Sequence, residues 1–203
     1  MTRAERRNRI RTAYHEAGHA VIAAVYGFWP HRVTIVSDPE KDQRGETRIK
    51  VSSSLYRIPH ELTALMIFEL AGMAAQNRYS RRRDAEYKGG QRDLAQFEED
   101  WWKLNVMTDG QCGDAEDFER VASQVVNHNW YAIETLVRVL LVRETIAHDE
   151  LRQALNSAIC TDKYEHLVLP GYLCPVDPCT VVDRDVSAEA EVLKERFAAR
   201  LNT

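Results

Sequence analysis

The sequence predicts a mainly α-helical fold with a small β-hairpin. Apolar residues recur every three or four positions along most of the chain, which is the spacing of one helix face. Only two short segments, separated by the turn-rich "SDPEKDQRG", alternate polar with apolar residues as a half-buried strand does. The content of nine Gly and six Pro in 203 residues, with 44% apolar and 29% charged residues, indicates a globular protein rather than a disordered or fibrous one.

The first helix is predicted from Thr12, which is placed to cap it, to about Phe28, and Pro30 ends it. The alternating segments "RVTIV" (32–36) and "ETRIKV" (46–51) then form the strands of the hairpin.

A second long helix is predicted from Pro59, since proline is tolerated in a first turn, to about Tyr79. The polar, glycine-ended segment 80–90 is expected to be a loop. Further helical patterns cover about 91–104, 114–128, 130–146 and 149–158, the last opening after Asp149 as a possible cap.

The last part of the chain differs in composition. Prolines and a glycine break any periodicity between Cys160 and Val186, which predicts an irregular connector, and Ser187 caps a final amphipathic helix. We therefore expect residues 1–159 to form the main domain, with the connector and last helix of 160–203 packed on it.

Composition excludes several classes of protein. A net charge of −4 and a pI near 6.0 give no overall attraction to nucleic acid or anionic membranes. The longest apolar run, Ala20–Pro30, is about half of the roughly 20 residues that span a bilayer, and no signal peptide is recognisable. Four scattered cysteines do not make a disulfide framework. We expect a cytoplasmic protein without a membrane segment.

The segment "TAYHEAGHAVIAAVYG" (12–27) carries the chemistry. His15 and His19 are four residues apart, so a helix places both imidazoles on one face, where they can bind one metal ion. Glu16 lies beside them and can take a proton from a zinc-bound water. H-E-x-x-H is the pattern of zinc metallopeptidases and predicts a zincin-like domain. Gly18 indicates that another backbone packs close to this turn.

A catalytic zinc needs a third protein ligand besides these two histidines. The candidates are carboxylates later in the chain, and spacing alone does not choose among them. They include Glu69, Asp84, Glu86, Asp93, Glu98 and Glu99.

The opening segment, continued by "HRVTIV", resembles the start of the peptidase domain of the FtsH family, which are membrane-anchored, ATP-dependent zinc proteases. Three later segments agree in order: "ELAGMAAQ" (69–76), "GGQRDLAQF" (89–97) and "NWYAIETLVRVLLVRETIAHDEL" (129–151). The resemblance covers roughly residues 12–155.

The resemblance implies one zinc ion per chain, held by His15, His19 and Asp93, with Glu16 as the catalytic base. It also places the hairpin beside the zinc, where the strand edge that carries Gly45, Thr47 and Ile49 is expected to pair with an extended peptide substrate. A hairpin that merely covers the core is the alternative.

The sequence departs from the family pattern at several points. Arg92 replaces an asparagine before the aspartate, Tyr87 and Lys88 replace hydroxyl residues, and Gln76 and Asn77 replace acidic residues. No G-x-x-x-x-G-K-[ST] loop is found in the sequence, so the nucleotide-driven half of the family is not expected here, and the predicted reaction uses no ATP. Whether the chain forms homo-oligomers or works with a partner unfoldase stays open.

The sequence therefore predicts a zinc-dependent endopeptidase that cuts unfolded or flexible polypeptide segments, ATP-independent by itself. The alternative is a catalytically silent binding or regulatory module of the same fold, against which the intact Glu16 argues. A zinc hydrolase that acts on something other than peptides is a third reading.

Overall fold

A computed structural model of the chain describes residues 1–41, 43–52, 56–80, 90–159, 173–174, 182 and 186–201. Within these residues it is mainly helical, as predicted. The helices are α1 (Arg3–Val25), α2 (Pro59–Ser80), α3 (Gln91–Met107), α4 (Ala115–His128), α5 (Trp130–Arg143), α6 (His148–Ala158) and α7 (Ser187–Leu201). The strands are β1 (Pro30–Thr34), β2 (Glu46–Ile49) and β3 (Thr145–Ala147). No helix in the described part of the chain has both the length and the apolar character to cross a membrane.

Helix α1 is longer at its N-terminus than predicted. A capping box starts it: the Glu5 N–H donates to Thr2 Oγ1 (3.2 Å), and the Thr2 N–H donates to the Glu5 carboxylate (2.7 Å). Thr12 is buried inside the helix, so its prediction as the cap was wrong. The helix ends at Val25, before Gly27 (φ 82°), and Pro30 opens β1 rather than stopping α1.

The sheet has three antiparallel strands in the order β2-β1-β3. The predicted hairpin is confirmed, with Val33 of β1 opposite Thr47 of β2. The third strand was missed, because 130–146 was predicted to be one helix. Glu144 (φ 64°) ends that helix, and Ile146 then pairs with Val33 from the other side.

The remaining boundaries largely follow the sequence pattern. Helix α4 begins after Asp114, whose side chain accepts a hydrogen bond from the Asp117 N–H (2.9 Å). Helix α6 begins at His148, so Asp149 lies in its first turn and does not cap it. The predicted loop over 80–90 and the connector over 160–186 lie mostly outside the described residues. Helix α7 packs against α3.

Helix α1 is the centre of the fold, buried almost continuously from Thr12 to Ala24 between α2, α5 and the sheet. Its closest neighbour is α2. A Cβ built on Gly18 would lie 2.7 Å from the Ala71 carbonyl oxygen and 2.7 Å from the Ala75 Cβ. The expected close approach of another backbone at Gly18 is therefore confirmed, and it brings α2 over the histidines of α1.

Candidate metal centre

Helices α1 and α3 bring two histidines and an aspartate to one point. His15 and His19 are each 4% exposed, and their Nε2 atoms lie 3.1 Å apart. Asp93, in the first turn of α3, places its Oδ2 atom 3.0 Å from Nε2 of His15 and 3.4 Å from Nε2 of His19. Among the described residues, this trio forms the His/Cys/Asp/Glu group able to hold a metal ion.

The other candidate carboxylates do not join this trio. Glu69 lies on α2, in the wall of a cavity that also exposes the trio, and Glu98 and Glu99 are exposed on α3. Asp84 and Glu86 lie outside the described residues. Of the described candidates, Asp93 is the one whose carboxylate lies beside both imidazoles, and it is also the ligand that the FtsH resemblance implied.

The donor atoms fit a zinc ion. Ligands around tetrahedral zinc, with bonds of about 2.0–2.1 Å, lie about 3.3 Å from one another, close to the separations found here. His19 Nδ1 donates to the Phe68 carbonyl oxygen of α2 (2.8 Å), which directs the Nε2 lone pair at the site.

Gly72 of α2 makes room for both imidazoles. A Cβ built there would lie 2.3 Å from His19 Nε2 and 2.8 Å from His15 Cε1. The sequence analysis did not single out Gly72 or Phe68. The roles of both residues depend on how closely α2 crosses α1. The glycine in "ELAGMAAQ" was the sequence feature that could have indicated this close crossing.

The charges of Asp93 and His19 depend on each other. Burial alone would raise the pKa of Asp93, but the imidazoles of His19 and His15 hold it well below its usual range. Burial alone would lower the pKa of His19, but the Asp93 carboxylate raises it to about 9. Without a metal ion, Asp93 is therefore ionised and His19 protonated at neutral pH, and a bound cation would take the place of the His19 proton beside the Asp93 carboxylate.

Glu16 is held beside this trio by β2. The residue is 5% exposed, and its carboxylate accepts a hydrogen bond from Thr47 Oγ1 (2.8 Å). Gly45 passes so close that a Cβ there would lie 2.7 Å from Glu16 Oε1. Burial raises the pKa of Glu16, and the nearby His15 and His19 offset part of that rise. The carboxyl is thus shifted towards neutral pH, which suits a general base.

A cavity of about 460 Å³ lies over these residues, with walls from α1, β2, α2 and α3. Two of the predicted substrate-binding residues, Gly45 and Thr47, line it. Ile49, the third, is half-buried and packs against the core. Arg92 and Glu69 also line the cavity, and Glu69 had been considered only as a metal ligand.

No known protein-family model matches the chain, and no curated protein sequence is significantly similar to it. The FtsH resemblance is therefore carried by the motif residues and their order, and membership of that family stays a hypothesis.

Proposed function

We propose that this protein is a zincin-like, zinc-dependent endopeptidase, related to the FtsH peptidases, that hydrolyses unfolded or flexible polypeptide segments without ATP. One observation carries the proposal: His15, His19 and Asp93 meet at a point beside the buried Glu16, under an open cavity. Two imidazoles and one carboxylate are a donor set that zinc accepts, with a position left for water.

The chain's residues divide the work of peptide hydrolysis. When bound, zinc supplies Lewis acidity, lowering the pKa of its water to about 7 and polarising a carbonyl. Glu16 accepts the proton of the attacking water and passes it to the leaving amine. The Thr47 hydroxyl holds the Glu16 carboxylate in one orientation while this happens.

The position of β2 at an edge of the sheet supports a preference for extended substrates. β1 pairs with one side of β2, which lies at an edge of the sheet, and Gly45 and Thr47 line the cavity. A peptide added as a further strand binds through its main chain, so it must be extended first. Folded proteins would have to expose such a segment before cleavage.

Glu16 favours a peptidase over a silent module. Removing a carboxyl group from water costs free energy, and a binding module has no chemical need for one here. We therefore expect catalysis to be the reason for this residue.

The test compares zinc content with cleavage of unfolded casein in the absence of ATP. Glu16→Gln should retain zinc and lose cleavage, whereas Asp93→Ala should lose zinc. Glu98→Gln, an exposed carboxylate on the same helix as Asp93, is the matched control and should retain both. Zinc without cleavage in the unmodified protein would favour the silent module, and equal cleavage by Glu16→Gln would exclude Glu16 as the base.

A further inference from the structure

Glu69 is a second buried acid in the wall of the cavity. It lies on α2, three residues before Gly72, and its side chain is 5% exposed. Three residues of helix correspond to about 4.5 Å along the axis, so Glu69 lies about one turn from the imidazoles that Gly72 contacts. Its Oε2 atom is buried and has no hydrogen-bond partner among the residues that the structure describes.

Lys103, whose positive charge acts on Glu69, already binds two other carboxylates. Asp100 of α3 is fully buried and accepts hydrogen bonds from Lys103 Nζ (2.8 Å) and Gln96 Nε2 (3.3 Å). Lys103 also binds Glu99 (2.7 Å). Glu69 shares a hydrogen bond with Asp100, and burial, followed by the Asp100 charge, raises the pKa of Glu69 well above its usual value. Lys103 is therefore shared by Asp100 and Glu99, and it forms no hydrogen bond with Glu69 among the contacts of the described residues.

We propose that Glu69 is a specificity-determining residue, which binds the ammonium or guanidinium group of one basic side chain of the peptide substrate. The inference rests on the proposed function, because it names the substrate class of the same cavity. A substrate cation would supply the partner that Glu69 Oε2 lacks and would favour the ionised form of the Glu69 carboxyl. The ring of Phe68, which also lines the cavity, offers an apolar surface for the methylene stem of a lysine or arginine.

The competing explanation is purely structural: Glu69 and Asp100 would tie α2 to α3 and never meet a substrate. Isosteric substitution separates the two. Glu69→Gln keeps the size of the side chain and its ability to form hydrogen bonds, but it cannot ionise opposite a cation. A purely structural role predicts a change in stability alone, whereas a substrate role predicts loss of the preference for a basic residue.

The experiment uses unstructured decapeptides that differ only in one residue, lysine or norleucine, moved through every position. Binding is measured on the zinc-loaded Glu16→Gln protein, and cleavage on the unmodified one. A buried charge-assisted hydrogen bond is worth about a tenfold to hundredfold preference, so lysine should bind at least about tenfold more tightly at one position only. Adding Glu69→Gln should abolish the preference for lysine and leave the binding of norleucine peptides unchanged. The control is Glu99→Gln, because Glu99 also contacts Lys103 but does not line the cavity; this variant should keep the preference for lysine.

Each result decides between the hypotheses. Equal binding of lysine and norleucine at every position overturns the assignment of Glu69, and so does a preference that is spread over all positions or survives Glu69→Gln. Cleavage without any lysine preference would leave the peptidase intact and remove only this inference. Lysine-selective binding without cleavage would refute the peptidase and support the subsite. The comparison of lysine with norleucine peptides on the protein that retains Glu69 remains a valid test even if Glu69→Gln fails to fold.

Discussion

The Gly72→Ala substitution tests the site through a single methyl group. Inside a helix, alanine is normally more stable than glycine by about 1 kcal/mol. Here the new Cβ would lie 2.3 Å from His19 Nε2, so the imidazole must retreat by about 1 Å to reach ordinary contact distance. The ring is 4% exposed and bound to the Phe68 carbonyl, so it has little room to move. Ligand distances tolerate only about 0.2 Å, and we expect zinc affinity to fall by more than about 100-fold.

The assay is a competition titration of zinc against a chromogenic chelator, with thermal unfolding of each protein with and without EDTA. Gly90→Ala is the matched control, because its Cβ would meet only the flexible side chain of Met73 at 2.8 Å, and its φ of −93° suits alanine. It should bind zinc like the unmodified protein. Disturbed metal sites typically lose about 10–100-fold in affinity. If the zinc affinity of Gly72→Ala is within about threefold of that of the unmodified protein, Gly72 does not lie against the imidazoles as described.

Three further predictions follow from other contacts. Gly18→Ala places a Cβ 2.7 Å from the Ala71 carbonyl, so urea titration should show a loss of about 1–3 kcal/mol despite the better helix propensity, and an unchanged midpoint would contradict the tight crossing. Thr47→Val removes the hydroxyl that orients Glu16, so the cleavage rate should fall by about 10- to 100-fold at full zinc content, whereas an unchanged rate would deny Thr47 that role. Because the pKa of Glu69 is raised, the folded protein keeps a proton that the unfolded chain releases above pH 4.5, and the stability of the fold falls as the pH rises. Glu69→Gln removes this titration, so the difference in melting temperature between pH 5 and pH 8 should become smaller, and an unchanged difference would contradict the raised pKa.

The sequence was informative where local rules decide the structure. The bounds of α2 follow from Pro59 and the spacing of apolar residues, and the helical pattern over about 114–128 agrees with the observed bounds of α4. The meeting of His15 and His19 follows from helix geometry alone, since residues four apart share a face. Asp93 was one of several candidates until the FtsH resemblance singled it out, because no local rule relates residues 74 positions apart in the chain.

The missed features depend on contacts between distant segments. Strand β3 has three residues, too few for an alternating pattern, and exists because Ile146 pairs with Val33 of β1. The first turns of α1 are polar and exposed, so no apolar stripe marked them, and only the capping box at Thr2 fixes their start. The place of Glu69 in the cavity wall required knowing how α2 lies against α3.

The close crossing of α1 and α2 and the candidate metal centre are one structural feature. Burying the three polar side chains of "HEAGH" costs free energy, and a hydrogen bond to another element offsets that cost for each of them. The partners are the Phe68 carbonyl for His19, Asp93 for His15 and Thr47 for Glu16. Phe68 reaches His19 only because α2 approaches the backbone of α1 at Gly18. A substitution that separates the two helices should therefore lower stability and zinc affinity together, even when it touches no ligand. Loss of stability with unchanged zinc affinity in Gly18→Ala would mean that the site does not depend on this crossing.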